Sequence, residues 1–137
     1  MKILLWILII LPITVQAQYY NYKVIRVIDA DTIVIEAPFL PKPLKPEISV
    51  RIFGLDAPEK DFRSHCEMES NLSYEATEFV QDLFKNAKEI KVEFRDWDKY
   101  ARILGDFNLD GKSLRNILLD KGYAKLYFGS KKENWCD

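Results

Sequence analysis

Within the stretch Ser49–Lys60, S-V-R-I-F-G-L-D-A-P-E-K, an arginine and two carboxylates fall close together: Arg51, Asp56 and Glu59. Val50, Ile52 and Phe53 around the arginine are β-formers, so the run begins as a strand. Pro58 holds Ala57 extended and ends the ladder. The two acids are left at the strand's end. A cation and two carboxylates on one rigid edge can bind a hard metal and handle a phosphate. A surface ion pair beside a proline turn uses the same residues, and this stretch by itself leaves both readings open.

Two more residues widen the set. Asp31 falls at another expected strand end and Arg102 on another strand. Carboxylates without histidine or thiol partners favour oxygen-loving cations, calcium first and magnesium or manganese next. Calcium also takes backbone carbonyls, which makes the carbonyl of Ala57 a candidate ligand. A metal beside two arginines suits a phosphodiester. The metal polarises a phosphoryl oxygen, and guanidinium forks stabilise the charge that grows on phosphorus. Glu59, held off the metal by one water, is placed to take that water's proton. Zinc is a poor match, since His65 is the single histidine and there are two cysteines. His65 is expected to be a solvated turn residue.

The elements that must position these groups can be read in order. Gln18–Asn21 is expected to be a loose lead-in. Tyr22–Ile28 and Thr32–Ala37 have strand composition and form a hairpin around the acidic turn Asp29-Ala30-Asp31. Pro38–Pro46 holds four prolines and is expected to be a stiff extended loop carrying Lys42 and Lys45. The Ser49 stretch is the third strand. From Cys66 to Ala87, apolar residues recur at spacings of three and four, the pattern of one long amphipathic helix. Ile90–Phe94 alternates as a strand, Arg95–Arg102 is a charged, aromatic connection, and Arg102–Leu109 is the last strand. Ser113 caps a short helix that runs through Lys121 and stops at Gly122. Five strands and two helices define an α+β domain, and short strands in this number suggest a small closed barrel with helices packed on it.

The chain of 137 residues is enough for one domain, with 48% hydrophobic and 30% charged residues. Its start reads as a secretory signal peptide over residues 1–17. Lys2 precedes an apolar run, and Val15-Gln16-Ala17 is a small-residue cleavage signal. An uncleaved membrane anchor is the alternative, though the run is short of the ~20 residues that a span uses. The domain is then 18–137, secreted or periplasmic, with no stable membrane association after cleavage. Losing Lys2 turns 20 basic groups into 19 against 21 acidic ones. Such a balance excludes a strongly basic surface, so a polyanion must be held by a local cluster. In an oxidising compartment Cys66 and Cys136 suggest one disulfide, and two free thiols are the alternative. The bridge would close a loop of about 70 residues and contribute on the order of 4 kcal/mol.

The series Asp29-Ala30-Asp31-Thr32, Arg51-x4-Asp56-x-Pro58-Glu59 and Asp98-Lys99-Tyr100-Ala101-Arg102 resembles the staphylococcal nuclease (thermonuclease) family, in order and in spacing. The likeness runs from about Tyr22 to Phe128 and includes a long helix after the D-x-P-E turn. It implies a five-stranded OB-fold β-barrel with a long and a short helix packed on it. It also implies calcium-dependent hydrolysis of DNA and RNA, single strands favoured, to 3′-phosphate products. By position, Asp31, Asp56 and the Ala57 carbonyl would ligate calcium. Glu59 would activate water, and Arg51 and Arg102 would grip the scissile phosphate. Lys99, Tyr100 and Phe128 would bind substrate, and Asp29 would support the turn. Monomer is the default state.

The sequence departs from the family pattern in several places. Ala30 replaces a glycine, so its turn must avoid positive φ or carry strain. Ala57 replaces a threonine. Phe128 and Ser130 stand where two tyrosines are usual, so stacking survives and hydroxyl contacts do not. A short tail ending Trp135-Cys136 replaces a final helix, and the surface is not basic, which implies weaker, salt-sensitive substrate capture. A non-catalytic OB module that binds single-stranded nucleic acid or a protein is the competing expectation. Such a module would not need five acids and arginines kept as a set.

Overall fold

The computed structural model describes residues 16–136. The apolar leader expected to be a signal peptide lies almost entirely outside them. Among the described residues, nine strands and two α-helices form an α+β fold. In chain order these are β1 (Tyr19–Tyr20), β2 (Val24–Asp29), β3 (Thr32–Glu36), β4 (Glu47–Ile52), β5 (Leu55–Asp56), α1 (Glu67–Asn86), β6 (Ile90–Trp97), β7 (Ile103–Leu109), β8 (Lys112–Ser113), α2 (Leu114–Lys121) and β9 (Lys125–Leu126).

One mixed sheet runs in the order β1-β6-β7-β4-β3-β2, with β8 on β7. Its long strands are the five expected from β-branched runs. They follow the order of an OB fold, with β4 and β7 pairing in parallel and their neighbours antiparallel. The β2–β3 hairpin forms as expected, and Ala30 is buried in its turn without positive φ. The missing glycine therefore costs no backbone strain there. Register sets the site: Arg51 on β4 lies opposite Thr32 on β3, next in sequence to Asp31.

Helix α1 matches the expected span. Cys66 is its N-cap and Ala87 its C-cap, with Glu67 and Glu69 favourably placed at the positive end of the dipole. Its inward face places Ala76, Val80 and Phe84 in the core, where Phe84 meets Phe107 edge-on with ring centres 5.1 Å apart. Helix α2 begins at the Ser113 cap and ends at a left-handed Gly122, as read from its residues.

Three expectations are corrected. Tyr19–Tyr20 is not a loose lead-in but a strand on β6, held by stacking of Tyr20 on Phe94. The segment 95–97 is not connection but the end of β6, which continues past a bulge between Phe94 and Asp96. At that bulge β7 comes so close that a Cβ on Gly105 would lie 2.2 Å from the Glu93 carbonyl oxygen. The proline-rich loop is not extended. It folds back through turns in which Leu40 N–H donates to Ala37 O and Leu44 N–H to Pro41 O, and Ala37 N–H donates to Pro46 O to close it.

Candidate functional site

Four segments meet around one cleft of about 1090 Å³: the β2–β3 turn, the run from β4 through Glu59, the loop 98–102, and the chain after β9. Asp31, Arg51, Ala57, Glu59, Lys99, Tyr100, Arg102 and Phe128 all line it. Asp56 is the exception. It opens onto an adjoining hollow under the tail, and Glu59 and Lys132 line both spaces.

Arg51 is the centre of the cluster. Its Nη1 lies 3.1 Å from Asp31 Oδ2, its Nη2 lies 4.0 Å from Asp56 Oδ1, and the same Nη2 donates to the Leu55 carbonyl at 3.2 Å. Both aspartates are buried, so one guanidinium bridges two carboxylates that water cannot screen well. Thr32 Oγ1 donates to Asp31 Oδ1 at 2.9 Å, and the Ala57 N–H donates to Asp31 Oδ2 at 3.2 Å. These contacts lock the hairpin turn onto the end of β5.

Glu59 is more open. It contacts Arg63 at 3.5 Å and Lys132 at 3.5 Å, and its N–H donates to Glu69 Oε1 at 3.1 Å. Glu69 is a buried carboxylate on α1 that also accepts from the His65 N–H at 2.7 Å. Burial pushes its carboxyl up, but the N–H groups of His65 and Glu59 outweigh that and hold it below the usual glutamate range. His65 itself is exposed, as expected. Asp29 also lines the cleft but pairs with Lys60 Nζ at 2.9 Å and Arg63 at 3.5 Å.

Arg102, expected on a strand, instead reaches the cleft from the loop just before β7, where Asp98 holds it. Its Nε is 2.6 Å from Asp98 Oδ2, and Asp98 Oδ1 accepts the N–H groups of Tyr100 and Arg102. Burial raises the Asp98 carboxyl, but the hydrogen bonds from Arg102 and Tyr100 prevail and keep it low. Tyr100 lies beneath the Arg102 guanidinium and is open to solvent. Phe128 stands edge-on to Phe53, 5.9 Å between ring centres, and an added Cβ on Gly54 would strike its ring at 2.7 Å. Gly54 has φ +69°, so both backbone and ring need glycine there.

The donor set fits a hard cation. It is all oxygen, it is buried, and Asp56 Oδ1 has no donor at hydrogen-bonding geometry. Its nearest cation is the Lys132 ammonium at 2.6 Å, an ion pair rather than an aligned hydrogen bond. Burial lowers the Lys132 pKa, but Asp56 and Glu59 together raise it above the ordinary lysine value. Among the described residues, the tight trio of ligand-type groups, within 4.8 Å of one another, is Cys66, Glu69 and Cys136. That trio is no metal site, because the two sulfurs are joined in a disulfide. Asp31, Asp56 and Glu59 do not form so tight a group.

A family model described as Staphylococcal nuclease homologue matches residues 49–136, well over half of the chain. The chain belongs to the staphylococcal nuclease family. The matched segment carries Arg51, Asp56, Ala57, Glu59 and Arg102. Asp31 lies before it and is brought to the nuclease-family cluster by the β3–β4 register. The family and fold place the chain among nuclease or nucleic-acid-binding OB folds. The expected bridge between Cys66 and Cys136 is present, with Cα atoms 5.9 Å apart.

Four residues of the site had no role assigned from the sequence. Asp98 stood inside a quoted motif, but its grip on Arg102 needs the loop's shape. Glu69 is one acid in a helix rich in acids. Lys132 and Trp135 lie in a polar tail with no periodicity to announce them.

Proposed function

We propose that this protein is an exported, calcium-dependent nuclease that hydrolyses phosphodiester bonds of DNA and RNA, single strands preferred, leaving 3′-phosphates. The observation that carries the reading is the convergence of Arg51, Asp31, Glu59 and Arg102 on one cleft, in a member of this family. A binding module needs basic and aromatic groups, but not two buried carboxylates bridged by an arginine. The disulfide supports an oxidising destination, secreted or periplasmic, with residues 1–17 as the export signal.

Asp31 and Asp56 would hold the cation by carboxylate and Ala57 by its carbonyl. Bound there, calcium would supply Lewis-acid polarisation of a phosphoryl oxygen. Arg51 and Arg102 donate hydrogen bonds to the non-bridging phosphate oxygens as their charge grows. Glu59 accepts a proton from water, the water oxygen bonds to phosphorus, and the bond from phosphorus to the 5′-oxygen breaks. The departing 5′-oxygen takes a proton from solvent. Lys99 and Tyr100 contact neighbouring phosphates, and Phe128 stacks on a base.

Incubating the protein with end-labelled single-stranded DNA should give 3′-phosphate fragments in calcium and none after chelation. Binding without cleavage in calcium, at neutral to alkaline pH, would instead favour the non-catalytic module.

A further inference from the structure

The C-terminal tail, 129–136, forms no strand or helix among the described residues, yet it ends against the carboxylate on which the cation reading depends. Lys132 Nζ meets Asp56 Oδ1 at 2.6 Å, and Trp135 Nε1 donates to Asp56 Oδ2 at 3.4 Å. Both oxygens of one buried carboxylate are thus engaged by the same eight-residue segment. The tail is also held from outside the site. Lys125 Nζ donates to the Asn134 carbonyl at 2.6 Å and sits over the Trp135 ring, and Cys136 is bonded to Cys66 at the start of α1.

We propose that Lys132 is a tethered competitor for the cation site, an ammonium that neutralises Asp56 and Glu59 until a divalent cation displaces it. The disulfide sets the competition by keeping the local concentration of that ammonium high. Reduction of the bridge by an external dithiol, which leaves Cys66 and Cys136 as thiols and becomes a disulfide itself, loosens the tail, lowers that concentration and frees Asp56 Oδ1. Calcium affinity in this chain is then coupled to the redox state of a bond outside the site. The inference rests on the cation reading of Asp31 and Asp56 given above.

The test is calorimetric titration of calcium chloride into the folded protein, without nucleic acid. Lys132→Gln should bind calcium roughly tenfold more tightly than the wild type, since an opposing charge beside the site is removed. Lys132→Arg should stay near wild type, and Cys136→Ser, assayed well below its melting temperature, should fall between wild type and Lys132→Gln. Equal or weaker binding by Lys132→Gln, with wild-type binding intact, overturns the competitor role and leaves the cation site standing. Binding by neither protein, or binding that survives Asp56→Asn unchanged, overturns the cation reading and this inference with it.

Discussion

Arg51 and Arg102 face the same cleft, each against an aspartate, but the two pairs are built differently. Arg51 sits on a central strand and meets a buried Asp31 across the sheet, at a contact fixed by the β3–β4 register at the floor of the cleft. Arg102 meets Asp98 within its own loop, four residues away, and the loop is organised by that one carboxylate. The first pair is tertiary structure, so fold and chemistry share it. The second is local, so it can serve the cleft without bearing on the core. Removing half of the first leaves a buried charge unpaired, which is costly, while a part-exposed local pair contributes little to stability.

The sharpest separation of the two comes from alanine at each arginine. Both variants should lose a hundredfold to a thousandfold in single-turnover cleavage, the cost of one transition-state donor. They should part in thermal unfolding. Arg51→Ala should also lose about 3 kcal/mol of stability, and Arg102→Ala should unfold near the wild-type temperature. Equal melting temperatures would show that Asp31 does not depend on its arginine.

Asp98→Asn probes the local pair alone. Its amide oxygen can still accept the loop N–H groups but no longer neutralises the guanidinium, and a loss of about tenfold in rate is expected. The pH dependence has a definite sign. The folded Asp98 carboxyl lies below the ordinary 3.8, so its stabilisation is complete above that value and is lost as pH falls through the folded pKa. The gap in melting temperature between wild type and Asp98→Asn should therefore close on acidification below about pH 4. A gap that widens there would reverse the argument.

The smallest effect belongs to a residue outside both pairs. Phe128 stands open to solvent on Phe53, and Phe128→Ala should raise KM about fivefold with little change in kcat, the loss of one stacked base. A fall in kcat alone would mean that the ring shapes the site rather than holding substrate.

These differences follow how far each feature could be read from the chain. The span of α1 was legible because a three-and-four apolar spacing acts locally, and the ends of α2 because Ser113 and Gly122 do. The strand carrying Arg51 and the one that follows Asp31 were legible from β-branched runs, but their pairing was not, since register depends on contacts far apart in sequence. Tyr19–Tyr20 escaped notice because two residues hold no pattern and pair only once β6 exists. Residues 95–97 looked like a connection because alternation breaks at the bulge while the ladder goes on. The site residues rested on motif order, which says which groups meet but not what else reaches them. Lys132 and Trp135 arrive on Asp56 through a disulfide and a tail contact, neither of which leaves a periodic trace.

Everything proposed for the cleft depends on its groups working as one phosphodiesterase site, and Glu59 is a member whose carboxylate makes only loose ion pairs, with Arg63 and Lys132. The decisive measurement is single-turnover cleavage of single-stranded DNA by Glu59→Ala beside the wild type, at saturating calcium. The account predicts a loss of at least about a hundredfold with an unchanged melting temperature. Cleavage within a few-fold of wild type would contradict it.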